Sequence, residues 1–260
     1  MPKFNDLDIE KWKDSEIWTD SLWIIKERDK TGKHSGFYHG NFVPQIPRQL
    51  ILRYTKKNDI VFDPFVGSGT TAYEAETLQR NFIGVDIRSD LIVEIQSKID
   101  PNFLYCNLLA GDSTQPETFK RVKESIVKQG NPFVQLAILH PPYSDIIRFS
   151  DMKEDLSNAP TLEGFLESFS AVINNTIGIL EKGRYLAIVI GDKYTAGKWV
   201  PLGFYCMQAA QNLGLTLKSI VVKNMEGNRA KQNKEAIWRY RALSSDYFIF
   251  KHEYILLFKN

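Results

Sequence analysis

The residues best equipped for chemistry sit at three places where an apolar run breaks off. The first is "LAILHPPYSDII", residues 136–147, which ends on His140 and continues with Pro141, Pro142 and Tyr143. Proline fixes φ and carries no backbone N–H, so two in succession end a strand in a rigid turn. That turn offers an imidazole, bare carbonyls and an aromatic ring from one point. The second place is "VFDPFVGSGTTAYEA", where Asp63, Pro64 and Phe65 precede Gly67, Ser68, Gly69 and Thr70. Glycines between a strand and a helix admit positive φ and let a ligand approach the backbone closely. The helix that follows presents unpaired N–H groups. The third is "IGVDI", which closes on Asp86 and Ile87, with Asp112 further on in "AGDS".

The glycine turn is not a Walker loop, because no lysine follows its second glycine, and it lacks the third glycine of the dinucleotide fingerprint. A tight turn between strand and helix is all that two glycines alone require. The acids add to this. An ionised carboxylate only accepts hydrogen bonds, so Asp86 suits two ribose hydroxyls and Asp112 an adenine amino group. Asp63, Asp86 and Asp112 without a phosphate-binding lysine suit a nucleoside whose other end is cationic. S-adenosylmethionine is such a ligand.

Strands alternating with helices must hold these groups. The prolines and the apolar series Ile46, Leu50, Ile51 and Tyr54 in "GNFVPQIPRQLILRYT" predict a helix. Strand "DIVFDPF", helix "GSGTTAYEAETLQR", strand "NFIGVDI" and helix "SDLIVEIQSKI" follow. Next come a strand around 103–111, a helix around 116–129, the strand "FVQLAIL" and a helix from 161 to 181. The strand "RYLAIVIGD", a helix over 201–213, and strands near 215–223 and 247–258 complete the series. This is an α/β pattern, a mostly parallel sheet covered on both faces. Residues 1–40 are polar, with Trp12, Trp18, Trp23, Phe37 and Tyr38 scattered among charges, and read as an arm over a single domain spanning 1–260.

Composition is ordinary for a globular chain of 260 residues, 43% hydrophobic and 25% charged. A net charge of +2 announces no polyanion partner, so any nucleic-acid surface must be local. No apolar run approaches the ~18 residues of a membrane span, and "MPKFNDLDIEKWKD" is no signal peptide. Cys106 and Cys206 lie in apolar contexts without a CxxC, as expected of a reduced, cytoplasmic protein. His34 and His252 lack ligand spacing, and no metal is expected.

"DPFVGSGTT" resembles the cofactor motif of the amino-group DNA methyltransferases, which make N6-methyladenine or N4-methylcytosine. "HPPY" is similar to their catalytic tetrapeptide, usually Asp, Asn or Ser followed by Pro-Pro and an aromatic residue. "GNFVPQIPRQLILRY" resembles the segment that closes over the methionine end of the cofactor. The resemblance spans roughly residues 38–258. It implies a seven-stranded Rossmann-like sheet with its last strand antiparallel, and S-adenosylmethionine as cofactor. The cofactor motif precedes the catalytic one, which excludes the permuted branch. Carried over, the resemblance puts Phe42, Pro44, Asp63, Pro64, Phe65, Gly67, Ser68, Gly69, Thr70, Asp86, Ile87 and Asp112 at the cofactor. It puts His140, Pro141, Pro142 and Tyr143 at the reaction.

An exocyclic amine is a poor nucleophile because its lone pair is delocalised into the base. Two acceptors aimed at its hydrogens favour a tetrahedral nitrogen and stabilise the developing positive charge. The Pro141 carbonyl would be one acceptor and position 140 the other, while Tyr143 would stack on a base flipped out of the duplex. His140 departs from the family pattern. A neutral imidazole has one acceptor nitrogen and a protonated one has none. A catalytically weak DNA- or cofactor-binding subunit of a modification complex therefore stays open, as does an RNA amino-methyltransferase.

The implied partner is double-stranded DNA, with a cognate restriction enzyme where the chain is half of a modification pair; monomer and homodimer are both open. Residues 223–246 are the expected DNA contact. There Lys223, Asn228, Arg229, Lys231, Lys234, Arg239 and Arg241 are interleaved with Asn224, Trp238 and Tyr240, as phosphate and base-edge contacts require. Asp145, Arg148, Asp151 and Asp155 line the DNA cleft or an ordinary solvated loop. His39, Asn41 and Gln45 lie by the cofactor lid. Asp192 either positions Lys193 and the substrate loop or is structural.

Overall fold

The structure, a computed structural model, describes residues 4–34, 40–103, 105–142, 149–195, 197–225 and 235–260. Its core is a run of strands and helices in alternation. These are β1 (Leu22–Trp23), α1 (Gln45–Tyr54), β2 (Ile60–Asp63), α2 (Thr70–Thr77), β3 (Asn81–Asp86), α3 (Ser89–Lys98), β4 (Cys106–Ala110), α4 (Pro116–Lys128) and β5 (Val134–Leu139). Then come α5 (Leu162–Ile177), β6 (Leu180–Ile190), β7 (Lys193–Thr195), β8 (Lys198–Val200), α6 (Leu202–Asn212), β9 (Thr216–Asn224), α7 (Glu235–Leu243) and β10 (His252–Lys259).

Eight strands form one sheet in the order β1-β9-β10-β6-β5-β2-β3-β4. β2 to β6 run parallel, and β10 is antiparallel to both of its neighbours, β6 and β9. The expected α/β architecture with a reversed last strand stands. The strand count is one higher because the N-terminal arm supplies β1, two residues that pair in parallel with Val222 and Lys223.

Each sheet face has its own apolar core. Ile60, Phe62, Ala137, Leu139, Leu186, Ile188, Leu256 and Phe258 pack with α4, α5 and α6 on one side. Val61, Leu136, Ile138, Ala187, Val189, Val221, Ile255 and Leu257 pack with α1, α2, Trp23 and Ile25 on the other. That alternation, period two along each strand, assigns every strand end to a face. The four residues that predict α1, Ile46, Leu50, Ile51 and Tyr54, are all buried. Pro47 is tolerated because it lies in the first turn.

Two local expectations are corrected. The helix expected over 161–181 ends at Ile177. Gly178 caps it through Asn174, and the Ile179 carbonyl accepts from the Val134 N–H at 2.9 Å, which starts β6. The β7–β8 hairpin had no counterpart in the pattern. It is held against the chain before β10 by two ring pairs, Tyr194–Tyr247 (4.5 Å between centroids) and Trp199–Phe250 (4.1 Å).

Candidate active site

The glycine turn, Asp63, Asp86, Asp112 and His140 lie where parallel strands end. β2 runs into the glycine turn, where Gly67 and Gly69 have φ of 52° and 91°. The Gly69 position needs glycine: a Cβ would come within 3.0 Å of Ile95 and Tyr73 as well as sitting in the left-handed region. Asp63 fixes this turn from inside. Its carboxylate accepts from the Phe65 N–H at 2.9 Å and the Thr71 hydroxyl at 2.6 Å, and it is 1% exposed. The expectation that Asp63 meets the cofactor is corrected on the ground of burial: the carboxylate lies beneath the turn, bonded to the loop it shapes, and presents no open face. Burial pushes its pKa up to about 7.

Asp86 ends β3 and faces the same turn. Its carboxylate accepts from the Gly67 N–H at 2.8 Å and from Arg88 N–H at 3.0 Å. A carboxylate has about four lone-pair sites, so two are left for hydroxyl donors. Burial pushes Asp86 up to about 6, against the pull of the Arg88 and Gly67 N–H groups. Asp112 follows β4 and accepts from the Thr114 N–H and hydroxyl at 2.8 and 2.9 Å. The turn from Asp63 to Thr70 contains no cationic side chain. Acceptors without a phosphate-binding cation fit a nucleoside with a positively charged tail.

His140 follows β5, on the face shared by Leu136 and Ile138. Its ring meets that of Phe42 edge-on, with centroids 4.7 Å apart. Burial drives the imidazole down to about 4; Glu253 opposes that shift and Lys223 adds to it. His140 is therefore neutral at physiological pH, the form with an acceptor nitrogen. Pro141 is buried and Pro142 half-buried. Tyr143, Asp145 and Arg148 lie outside the described residues.

The segment before α1 ties these parts together. The Asn41 side-chain amide donates to the Ser68 hydroxyl in the glycine turn. The next residue, Phe42, is buried against His140. Arg28 of the arm donates to the Asn41 and Phe42 carbonyls at 3.3 and 2.9 Å. Gln45 points elsewhere, donating to the Glu27 carbonyl and accepting from Asp29 N–H. His39 lies outside the described residues. His34, unassigned by sequence, meets Glu74 of α2 at 2.7 Å, with both side chains buried.

The expected DNA contacts divide. Asn228, Arg229, Lys231 and Lys234 fall outside the described residues. Arg239 and Arg241 are exposed on α7, the latter with its guanidinium 5.5 Å from the Trp238 ring centroid. Lys223 is a correction. It is 7% exposed and ion-pairs at 3.0 Å with Glu253, its direct partner across the β9–β10 ladder. A lysine closing a buried carboxylate is not available to phosphate. Asn224 is also taken, its amide accepting from the Ile25 N–H at 2.7 Å and donating to the Ile25 carbonyl at 3.1 Å.

Asp192 is structural: it accepts from the Gly203 N–H at 3.0 Å at the start of α6 and from the Tyr254 hydroxyl at 3.3 Å. Asp155 likewise organises its loop through Ser150 and Ser157, while Asp151 is exposed. Sequence reasoning missed Glu253. A lone acid in a strand carries no local signal, and its place is set by the antiparallel pairing.

A sheet ordered this way, with a glycine turn after its first long parallel strand and acids at the next strand ends, defines a Rossmann-like methyltransferase fold. Among solved structures, TrmN from Thermus thermophilus superimposes with a TM-score of 0.54 at 15% identity, over 85% of this chain and 50% of that one, a likeness of fold alone. The family model of the N6/N4 DNA methylases matches residues 3–97 and 134–260, and the chain belongs to that DNA methylase family. It is 35% identical over 105 residues to the type II methyltransferase M2.LlaDCHI of Lactococcus lactis subsp. cremoris, covering 40% of this chain and 36% of that protein. It is 38% identical over 93 residues to M.HinfI of Haemophilus influenzae, covering 33% and 25%. The matches thus span well under half the length of these relatives. Among the described residues no helix is long and apolar enough to cross a membrane.

Proposed function

We propose that this chain transfers a methyl group from S-adenosylmethionine to the exocyclic amine of a flipped base in double-stranded DNA, N6 of adenine or N4 of cytosine, at a specific site. The observation that carries the reading is the continuous path from cofactor turn to catalytic turn. Ser68 holds Asn41, Asn41 leads into Phe42, and Phe42 packs on His140. A cofactor seated on the glycines would lie within reach of the amine acceptor.

Family membership and the strand-end acids support this assignment of parts. Phe42 and Pro44 would cover the cofactor, the backbone from Gly67 to Thr70 would cradle it, and Asp86, Ile87 and Asp112 would hold its ribose and adenine. When bound, the cofactor supplies an electrophilic methyl on a cationic sulfur. His140 and the Pro141 carbonyl accept from the two amine hydrogens, which concentrates the lone pair on nitrogen. The rigid Pro-Pro turn fixes both acceptors beforehand. Arg239 and Arg241 of α7, with the basic residues before them, would hold the phosphates.

The test is transfer of labelled methyl from S-adenosylmethionine to duplex DNA, followed by nucleoside mass spectrometry. N6-methyladenine or N4-methylcytosine at a fixed sequence is the expected product. Label appearing in RNA alone would overturn the assignment. His140→Ala should slow single-turnover transfer by about 10²–10³, and His140→Asn should recover part of it because its amide oxygen still accepts.

A further inference from the structure

Beside His140 lies a buried pair of charges to which the proposed reaction assigns no part. On β6 and β10 the residues sharing the face of His140 are Ala187 and Val189, and Ile255 and Leu257. Continuing each alternation to the strand end gives Gly191 on β6 and Glu253 on β10. Glu253 lies one step past the Tyr254↔Ile190 pair, beside Gly191. Leu139 pairs with Ile188, so His140 falls level with Val189 and Ile255, and Glu253 stands one same-face position further along. Two strand spacings across and two residues along put the backbones about 12 Å apart. The diagonal between them crosses β6 between Val189 and Gly191, and Gly191 leaves the Glu253 end of that line without a side chain. Lys223 of β9 closes the far side of Glu253 at 3.0 Å, with both side chains 8% exposed.

We infer that Glu253, held by Lys223, is a positioning residue for His140: it stabilises the imidazolium formed when the substrate amine gives up a proton. The inference rests on the methyl-transfer reading above. In that reaction the amine lone pair forms the N–C bond as the C–S bond breaks, and the sulfonium leaves as a neutral thioether. The nitrogen then carries an excess proton. His140, neutral and accepting from that N–H, takes it, so the methylated base leaves uncharged. A buried imidazolium is costly without a counter-charge, and the Glu253 carboxylate supplies one. The proton passes to water once the base departs.

Among the described residues, the charged groups of the neighbouring elements are differently engaged. Asp63 on β2 is turned into the glycine turn by Thr71 and Phe65. Arg28 lies behind the lid, donating to the Asn41 and Phe42 carbonyls. Asp192 ends β6 on the opposite face, bound to Gly203 and Tyr254. Lys223 and Glu253 are the pair whose charges act on the imidazole with opposite signs.

That opposition supplies the test. The His140 ring is followed by imidazole ¹⁵N NMR in the free protein, its signal assigned with His140→Asn. Near pH 4, where the wild type is half protonated, Glu253→Gln should be neutral and Lys223→Met more protonated. Shifts of opposite sign are the expected result, because a purely structural disturbance moves both variants the same way. Should either single variant fail to fold, Lys223→Gln/Glu253→Gln keeps a hydrogen-bonded pair and should shift in the direction of Glu253→Gln by less. In single turnover Glu253→Gln should slow transfer at least tenfold with cofactor and DNA affinities unchanged. Unchanged titration of His140 in all variants, or shifts of one sign, overturns the inference. Wild-type protein that methylates no DNA but shows the opposed shifts overturns the methyl-transfer reading instead.

Discussion

With Asp86 proposed at the cofactor ribose, cofactor binding should depend on pH in a direction that the structure sets. In the free protein burial holds its pKa up at about 6. A ligand with hydroxyl donors and a cationic tail binds the ionised carboxylate, so affinity should fall as pH drops through that value. For one linked group the dissociation constant scales as 1 + 10^(pKa − pH), about 1.1 at pH 7 and about 11 at pH 5. The loss is about tenfold, or about 1.4 kcal/mol. Calorimetry with S-adenosylmethionine at pH 5, 6 and 7 in buffers of different ionisation enthalpy measures both the affinity and the proton released, about half a proton at pH 6. Asp86→Asn should bind more weakly at pH 7 and show no slope.

Stability of the free protein runs the other way. Asp63 and Asp86 are both raised above their ordinary value of 3.8. The folded state therefore holds more protons than the unfolded chain between about pH 4 and 7. Their contribution to stability is present in acid and is lost as pH rises through that window. Thermal stabilisation by the cofactor should accordingly grow from pH 5 to 7 as the unliganded protein weakens. A dissociation constant that stays within twofold from pH 7 to 5 would refute the role given to Asp86. A slope that survives in Asp86→Asn would move the coupling to Asp63.

Lys223→Ala should destabilise the fold by about 3–5 kcal/mol, since it leaves the Glu253 carboxylate buried without its cation; denaturant unfolding reads this directly. The same substitution should leave the salt dependence of DNA binding untouched, whereas Arg239→Ala/Arg241→Ala should flatten it by about 0.9 in log–log slope for each phosphate no longer neutralised. Gly69→Ala should cost about 1–2 kcal/mol from its left-handed backbone alone, and equilibrium dialysis should show weaker cofactor binding because Ile95 and Tyr73 must shift.

What the sequence disclosed depended on how local each signal was. The glycine turn, the Pro-Pro turn and the strand-end acids are contiguous motifs, and each lies at the sheet edge where the alternating pattern puts it. The helix over Ile46–Tyr54 was legible because its apolar spacing is helical from end to end. The start of β6 was not: "IGILEKGRY" has the composition of a continuing helix, and pairing of Ile179 with Val134, 45 residues earlier, decides otherwise. Lys223 read as a surface cation because it opens a basic stretch. Its partner Glu253 lies 30 residues away, and only strand pairing brings the two together.

The reversed strand also explains why a charge stands behind His140 at all. In the parallel strands the residues at this edge come last, at the C-terminal ends, where turns expose them and short motifs mark them. β10 enters the sheet from the same edge, so its first residues, His252 to Tyr254, arrive at the site before the strand is established. A carboxylate placed there is buried between β9 and β6 from the outset. It cannot be solvated as a loop residue would be, and Lys223 directly across the ladder supplies the compensating cation. The lysine compensates Glu253 within the sheet, and Glu253 is the carboxylate proposed to face an imidazolium at His140. The pair is thus best understood as one unit: removing the lysine should cost the fold while leaving the carboxylate as the unopposed counter-charge of His140.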